Sequence, residues 1–212
     1  SFNPLLSETY ELIDTELGFK YFAEQVCHHP AISACYIEGE DYNFYTNSNT
    51  KQNFYITKGT FEVTNLGRSF FNIISTGASF SYNRPKVVAR NIIMGKTHID
   101  FTDTFTVTNH NTGDICEVTL YPIGEPSKTD QGYFKGVVKT YLDEDKLTIE
   151  GSWLSHFDIV YKGEKKRIWE KLNTDTKENY YFTDFSSNLN NITEELKKEL
   201  PPTDSRLRPD QR

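Results

Sequence analysis

No stretch of this sequence strings together the ~18 apolar residues that a membrane-spanning helix needs, so any membrane contact is expected to be peripheral. Cysteine is scarce. Cys27, Cys35 and Cys116 form an odd set without metal-ligand spacing, which argues against a disulfide framework and for reduced thiols of a cytoplasmic protein. Basic charge is also short: 23 Lys and Arg stand against 30 Asp and Glu, for a formal net charge of −7. A nucleic-acid binder needs a basic footprint, and no basic stripe is present, so no nucleic-acid partner is expected. No G-x-S-x-G elbow or other triad-like motif occurs, and no internal repeat or low-complexity linker divides the chain.

What is there is aromatic. Only 36% of the residues are hydrophobic, but they include 13 Tyr, 15 Phe and 2 Trp. Rings bury large areas and favour pleated surfaces, so a mainly β fold is expected. The 212 residues suffice for a substantial core and read as a single domain. Strand-like stretches follow closely: Ile32 to Ile37, Phe54 to Val63 about Gly59, and Ser69 to Tyr82 broken at Thr76-Gly77. Two hairpins are expected. One is Phe105 to Tyr121 about Asn109–Gly113, and the other is Val137 to Trp153 about Asp143-Glu144-Asp145. Closely spaced antiparallel strands suggest a meander that closes toward a barrel. The aromatic residues Tyr42, Phe44, Phe54, Phe61, Phe70 and Phe71 read as core first and as ligand wall second. Near Asn188 the character changes. Asn191 can cap a helix with Glu194 as its reciprocal partner, Leu189, Ile192 and Leu196 lie at helical spacing, and Pro201-Pro202 ends it.

Two short basic clusters, Lys165-Lys166-Arg167 and Arg206, Arg208 with Arg212, read first as solvated faces and second as contacts to anionic lipid. Cys27-His28-His29-Pro30 is the most unusual stretch. Adjacent strand residues point to opposite faces, so the two imidazoles do not share a metal from a regular strand, and no further ligand lies at a convincing spacing. A Cys27–His28 nucleophile lacks an orienting third group. Two readings stay open: histidines satisfied by backbone at a strand end, or an anion site in which a turn at Pro30 frees both rings to donate to a phosphate.

A wider pattern bears on that choice. Glu24-Gln25-Val26-Cys27-His28-His29-Pro30-Ala31 is similar to the Glu-Gln-Val-Ser-His-His-Pro-Pro signature of oxysterol-binding proteins. Phe2-Asn3-Pro4-Leu5-Leu6-Ser7-Glu8-Thr9-Tyr10 resembles that family's Phe-Asn-Pro-Leu-Leu-Gly-Glu-Thr-Tyr segment. Gly151-Ser152-Trp153, Trp169, Tyr180-Tyr181-Phe182, Leu189-Asn190 and the stretch Leu200 to Asp210 resemble further landmarks in the family's order.

The resemblance implies a nearly closed antiparallel β-barrel around an apolar tunnel, over about residues 1–185, with a helix and tail over about 186–212. It also implies a stretch truncated relative to the family domain, lacking the lid and first strands before Ser1 and a basic helix after Arg212. The implied function is non-enzymatic: binding and transfer of a sterol or phospholipid, exchanged for phosphatidylinositol 4-phosphate at organelle membranes, with no cofactor and no metal. The alternative is a phosphoinositide-sensing or tethering module without net transfer. Carried over by motif position, His28, His29 and Asn3 bind the phosphoinositide headgroup, and no residue is catalytic. The sequence departs from the family pattern at Ser7, Cys27 and Ala31, which stand for Gly, Ser and Pro.

Overall fold

The computed structural model describes residues 3–123, 132–140, 147–172 and 182–208. Among the described residues fourteen strands, all paired antiparallel, form one sheet. The first four, β1 (Thr9–Asp14), β2 (Phe19–Cys27), β3 (Ile32–Gly39) and β4 (Tyr42–Tyr55), pair in sequence order. β4 is long enough to serve two neighbours on its far side. Its first part, Tyr42 to Thr46, pairs β6 (Arg68–Ile73), while Thr50 to Tyr55 pairs β5 (Thr60–Asn65). β6 continues into β7 (Ala78–Asn83), and β5 pairs β8 (Lys86–Arg90). Both routes meet again on β9 (His98–Asn109). The meander then runs through β10 (Ile115–Leu120), β11 (Tyr133–Lys139), β12 (Leu147–Ser152), β13 (His156–Tyr161) and β14 (Glu164–Glu170). The end strands β1 and β14 do not pair with each other, so the ring is nearly closed, as expected.

The first expected hairpin is the β9–β10 pair, where Gly113 sits at φ 78° and donates to the Asn109 carbonyl at 2.9 Å. β11 and β12 supply the second, but its Asp143-Glu144-Asp145 turn lies outside the described residues. The helix expected from Asn191 is replaced by two short stretches, α1 (Asp184–Asn188) and α2 (Leu196–Glu199). Thr183 and Thr193, not Asn191, accept from the first-turn amides, while the Asn191 side-chain amide turns back to Asn188 Oδ1 at 2.5 Å. A side chain that finds a nearby polar partner outside the helix is lost as a cap. Among the described residues no helix is long and apolar enough to cross a membrane.

Burial is uneven around the ring. Val118, Leu120, Phe134 and Ile149 form a core on β10–β12, with Phe101, Phe105, Trp153 and Phe157 packed against it. Phe101 meets Trp153 edge-on at 4.9 Å, and Phe134 meets Phe157 at 5.8 Å. On β1–β7, in contrast, the buried side chains among the described residues are polar: Gln25, Thr46, Thr60, Ser69 and Ser81. The aromatic stripe is divided by strand alternation. Phe44 and Phe71 are cross-strand partners on the face of Ile37, whereas Tyr45 and Phe70 stack at 4.8 Å on the other face.

Candidate functional site

A cavity of about 650 Å³ lies between one face of β1–β3 and α1. Tyr10, Leu12, Phe19, Tyr21, Ile37 and Phe185 line its body. Period-two alternation puts Phe19, Tyr21 and Ala23 on one face of β2, which is why one strand supplies three lining residues. Polar lining gathers at Glu8, Gln25 and Ser33, near the β2–β3 turn. The hydroxyls in the body are held or neutral. Tyr10 donates to the Leu189 carbonyl at 2.7 Å, tying the α1 segment to the wall. Burial and the neighbouring Cys35 thiol push Tyr21 up to about 12. Burial also pushes Cys35 up, so it is a protonated thiol at neutral pH, the reverse of an activated nucleophile.

The turn that joins β2 to β3 carries His28 and His29 side by side, both exposed, with ring centroids 4.3 Å apart and the His29–Pro30 bond cis. Local chemistry explains how strict alternation is escaped. A bulge lies between Gln25 and Cys27, because Gln25 pairs Ser33 while Cys27 pairs Ile32. Gln25 is buried and braces the bulge from inside: its Nε2 donates to the Cys27 carbonyl at 2.7 Å, and its Oε1 accepts from the Ser33 hydroxyl. Neither imidazole makes a hydrogen bond or ion pair with another described residue, so both exposed rings keep their nitrogens available from one turn. The reading of histidines satisfied by backbone therefore falls. Among the described residues no group of three His, Cys, Asp or Glu is placed to hold a metal.

Asn3 is held by a different route. The segment before β1 runs beside β2, with Ser7 N donating to the Gln25 carbonyl at 2.8 Å and Gln25 N donating to the Glu8 carbonyl at 2.9 Å. Arg208 pins it, donating from Nη1 to the Asn3 carbonyl and to Glu8 Oε2, each at 3.1 Å. Asn3 is exposed, and no hydrogen bond joins it to either imidazole. The turn that replaces the family's Gly with Ser7 does need a left-handed residue, since Ser7 sits at φ 65°. A Cβ there costs ~1–2 kcal/mol, and glycine's own flexibility takes back ~0.5–1. Ser7→Gly is therefore expected to stabilise the chain by ~0.5–1 kcal/mol, seen as a rise of about 2 °C in melting temperature. A fall would mean that the Ser7 side chain contributes something beyond this geometry.

Sequence reasoning missed the role of the second basic cluster. Arg206 is buried against Asp204 and Arg208 is half-buried against Glu8, so neither belongs to a solvated face or lies open to lipid. Arg212 lies outside the described residues. The signal was Asp204 two residues before Arg206, but its partner strand is remote in sequence. The other cluster stays exposed and largely paired: Lys165 meets Glu150 at 2.9 Å and Asp158 at 3.1 Å, and Arg167 also binds Asp158.

Comparison with known proteins fits this geometry. The family model described as oxysterol-binding protein matches residues 1–212. An oxysterol-binding protein homologue of Schizosaccharomyces pombe is 32% identical over 216 residues, covering 100% of this chain and 22% of the relative. The crystal structure of the Osh3 ORD from Saccharomyces cerevisiae in complex with PI(4)P is 33% identical and superposes with a TM-score of 0.84, over 99% of this chain and 56% of that one. The Osh1 ORD domain in complex with cholesterol is 27% identical with a TM-score of 0.86, over 99% and 54%. The chain thus spans about a fifth of the curated relative and about half of the solved domains.

Proposed function

The chain belongs to the oxysterol-binding protein family, and from that premise we propose that it carries a sterol or phospholipid in the β1–β3 cavity and exchanges it for phosphatidylinositol 4-phosphate at membranes. His28, His29 and Asn3 read the headgroup phosphate. The carrying observation is one of placement: an apolar cavity of about 650 Å³ opens along the same two strands whose turn holds two unpartnered imidazoles. Ligand pockets of roughly 300–1,000 Å³, mostly apolar with few polar groups, are the usual form of a small-molecule site. Burial of cargo carbons drives entry, and the polar end selects the headgroup. No covalent step is involved, and the domain acts as a carrier and not as an enzyme.

Native mass spectrometry of the purified chain, followed by a transfer assay between two vesicle populations, tests this. A co-purified sterol or phospholipid is expected, with faster appearance of that lipid in acceptor vesicles. Lipid bound without faster transfer would reassign the chain to sensing or tethering. Absence of any lipid, with no panel member raising the melting temperature, would overturn the cavity's reading; a folded-state ligand at a hundredfold excess over its Kd stabilises by about 2.7 kcal/mol.

A further inference from the structure

The β4–β5 turn and the β8–β9 turn lie side by side. The Ile92 amide donates to the Gly59 carbonyl at 2.9 Å, joining the two. Together they hold out three aliphatic side chains: Ile56 is 69% exposed, Ile93 61% and Met94 84%. This exposure belongs to a built loop. Asn91, at φ 58°, donates from Nδ2 to the Lys96 carbonyl at 3.2 Å, and the Thr97 hydroxyl donates to the Asn91 carbonyl at 3.1 Å. The charge there is of one sign. Residues 54–60 and 91–97 contain Lys58 and Lys96 and no carboxylate, in a chain whose net charge is −7. Apolar tips that carry two lysines on an acidic molecule suit an anionic bilayer better than an aqueous face.

Register fixes where this surface sits. Thr50 of β4 donates to the Ala31 carbonyl, beside the His28-His29 turn, and β4 then runs on to Tyr55 before reaching Ile56. The tips therefore project from the end of the strands that carries the imidazoles, and beyond it. We propose that these paired turns are a membrane-docking surface. Ile56, Ile93 and Met94 enter the interface of an anionic bilayer, and Lys58 and Lys96 lie against its headgroups. Docking there turns the histidine end of the cavity toward the lipid it exchanges, a consequence that rests on the carrier reading above.

Flotation of the chain with phosphatidylcholine vesicles, with and without phosphatidylserine, tests the surface. Burying an aliphatic side chain is worth roughly tenfold or more in partition, and each basic residue near an anionic surface about fivefold. I93D/M94D is expected to lower the partition coefficient at least about tenfold on both vesicle types, and I93L/M94L to keep it. K58E/K96E is expected to lower it by about tenfold or more on phosphatidylserine vesicles only, with the difference vanishing at high salt. Melting temperatures should match the parent, because these side chains are exposed. Parent-like flotation of both charged variants overturns the proposal, as does an I93D/M94D variant that dissolves a dimer while floating normally, since the patch then joins two copies. Native mass spectrometry separates the two readings. Docking that depends on these residues in a chain carrying no lipid supports the surface and overturns the carrier, whereas lipid-loaded chain whose flotation ignores them does the opposite.

Discussion

Replacing His28 and His29 together by Ala is expected to lower affinity for phosphatidylinositol 4-phosphate about a hundredfold or more, while sterol binding changes little. Each imidazole offers a charge-assisted hydrogen bond to phosphate, and such bonds contribute roughly 1.5–3 kcal/mol. Two of them lost comes to ~3–6 kcal/mol, where 1.4 kcal/mol is tenfold. The structure gives the effect its specificity. Both rings are exposed on the turn and make no hydrogen bond within the described protein, so removing them leaves no internal donor or acceptor orphaned. Stability should therefore hold, and the loss should appear in binding alone. On the carrier reading proposed above, a sterol would lie against the lining residues Tyr10, Leu12, Phe19 and Ile37, which the substitution leaves in place. Extraction of each lipid from vesicles by parent and double variant measures this. Equal phosphoinositide extraction by the two would sink the site assignment, whatever cargo the cavity holds.

Arg206→Ala should cost the fold ~3–5 kcal/mol, because it leaves a buried carboxylate without its counter-charge. Arg206 is 4% exposed and Asp204 2%. Their side chains meet twice, Nε to Oδ1 at 2.9 Å and Nη2 to Oδ2 at 2.8 Å. The pair also ties down the open edge of the sheet. Arg206 donates to the Glu11 carbonyl, Asp204 Oδ2 accepts from the Glu11 amide at 3.3 Å, and the guanidinium lies 4.3 Å over the Tyr10 ring. For a chain of this size the loss corresponds to a melting temperature lower by about 10 °C, and it releases a wall of the cavity with it.

The pH dependence of this loss has a definite sign. Burial alone would raise the Asp204 carboxyl, but the bonds from Arg206 and from backbone amides hold it below its ordinary value. A carboxyl depressed in the folded state contributes stability above its unfolded value, ~3.9, and loses it as pH falls through the lower folded value. In the variant, burial raises the unpaired Asp204 carboxyl, so it protonates at higher pH than in the parent. The cost of Arg206→Ala should thus be largest near neutral pH, begin to shrink above pH ~4 and go on shrinking below it. Urea titrations at several pH values read this directly. A cost that stays constant into acid would mean that the guanidinium stabilises mainly through its contact with Tyr10. R206M/D204L, which removes both charges, should lose much less than Arg206→Ala, since replacing a buried pair by apolar groups is often near neutral.

Local chemistry was legible in the sequence. Alternating aromatic and β-branched residues predict the strands, because period two is a property of the extended backbone itself. Gly113 and the Asn109 side chain predict their hairpin, because a tight reversal needs those residue types at those positions. The eight-residue motif places His28 and His29 on a turn at Pro30, and Ser7 standing for Gly flags the left-handed residue there. Each of these depends on a few consecutive residues and so travels with the sequence. Asn191 shows the limit even of local reasoning, since Asn188 competed for its side chain.

What only the tertiary structure decided is where distant segments meet. The sequence shows Arg206 and Arg208 as two positive charges in a polar tail. Folding brings the first to Glu11 and Tyr10 and the second to Asn3 and Glu8, and so makes them the clamp on the open sheet edge. Likewise, no local pattern tells that β4 divides between β5 and β6, that the cavity lies beside β1–β3 and not among β10–β12, or that the Ile93-Met94 turn projects from the histidine end. The physical reason is that a charge or an apolar side chain has the same chemistry wherever it stands. Whether it is a clamp, a wall or a docking tip depends on which remote group it meets and how much water is left around it.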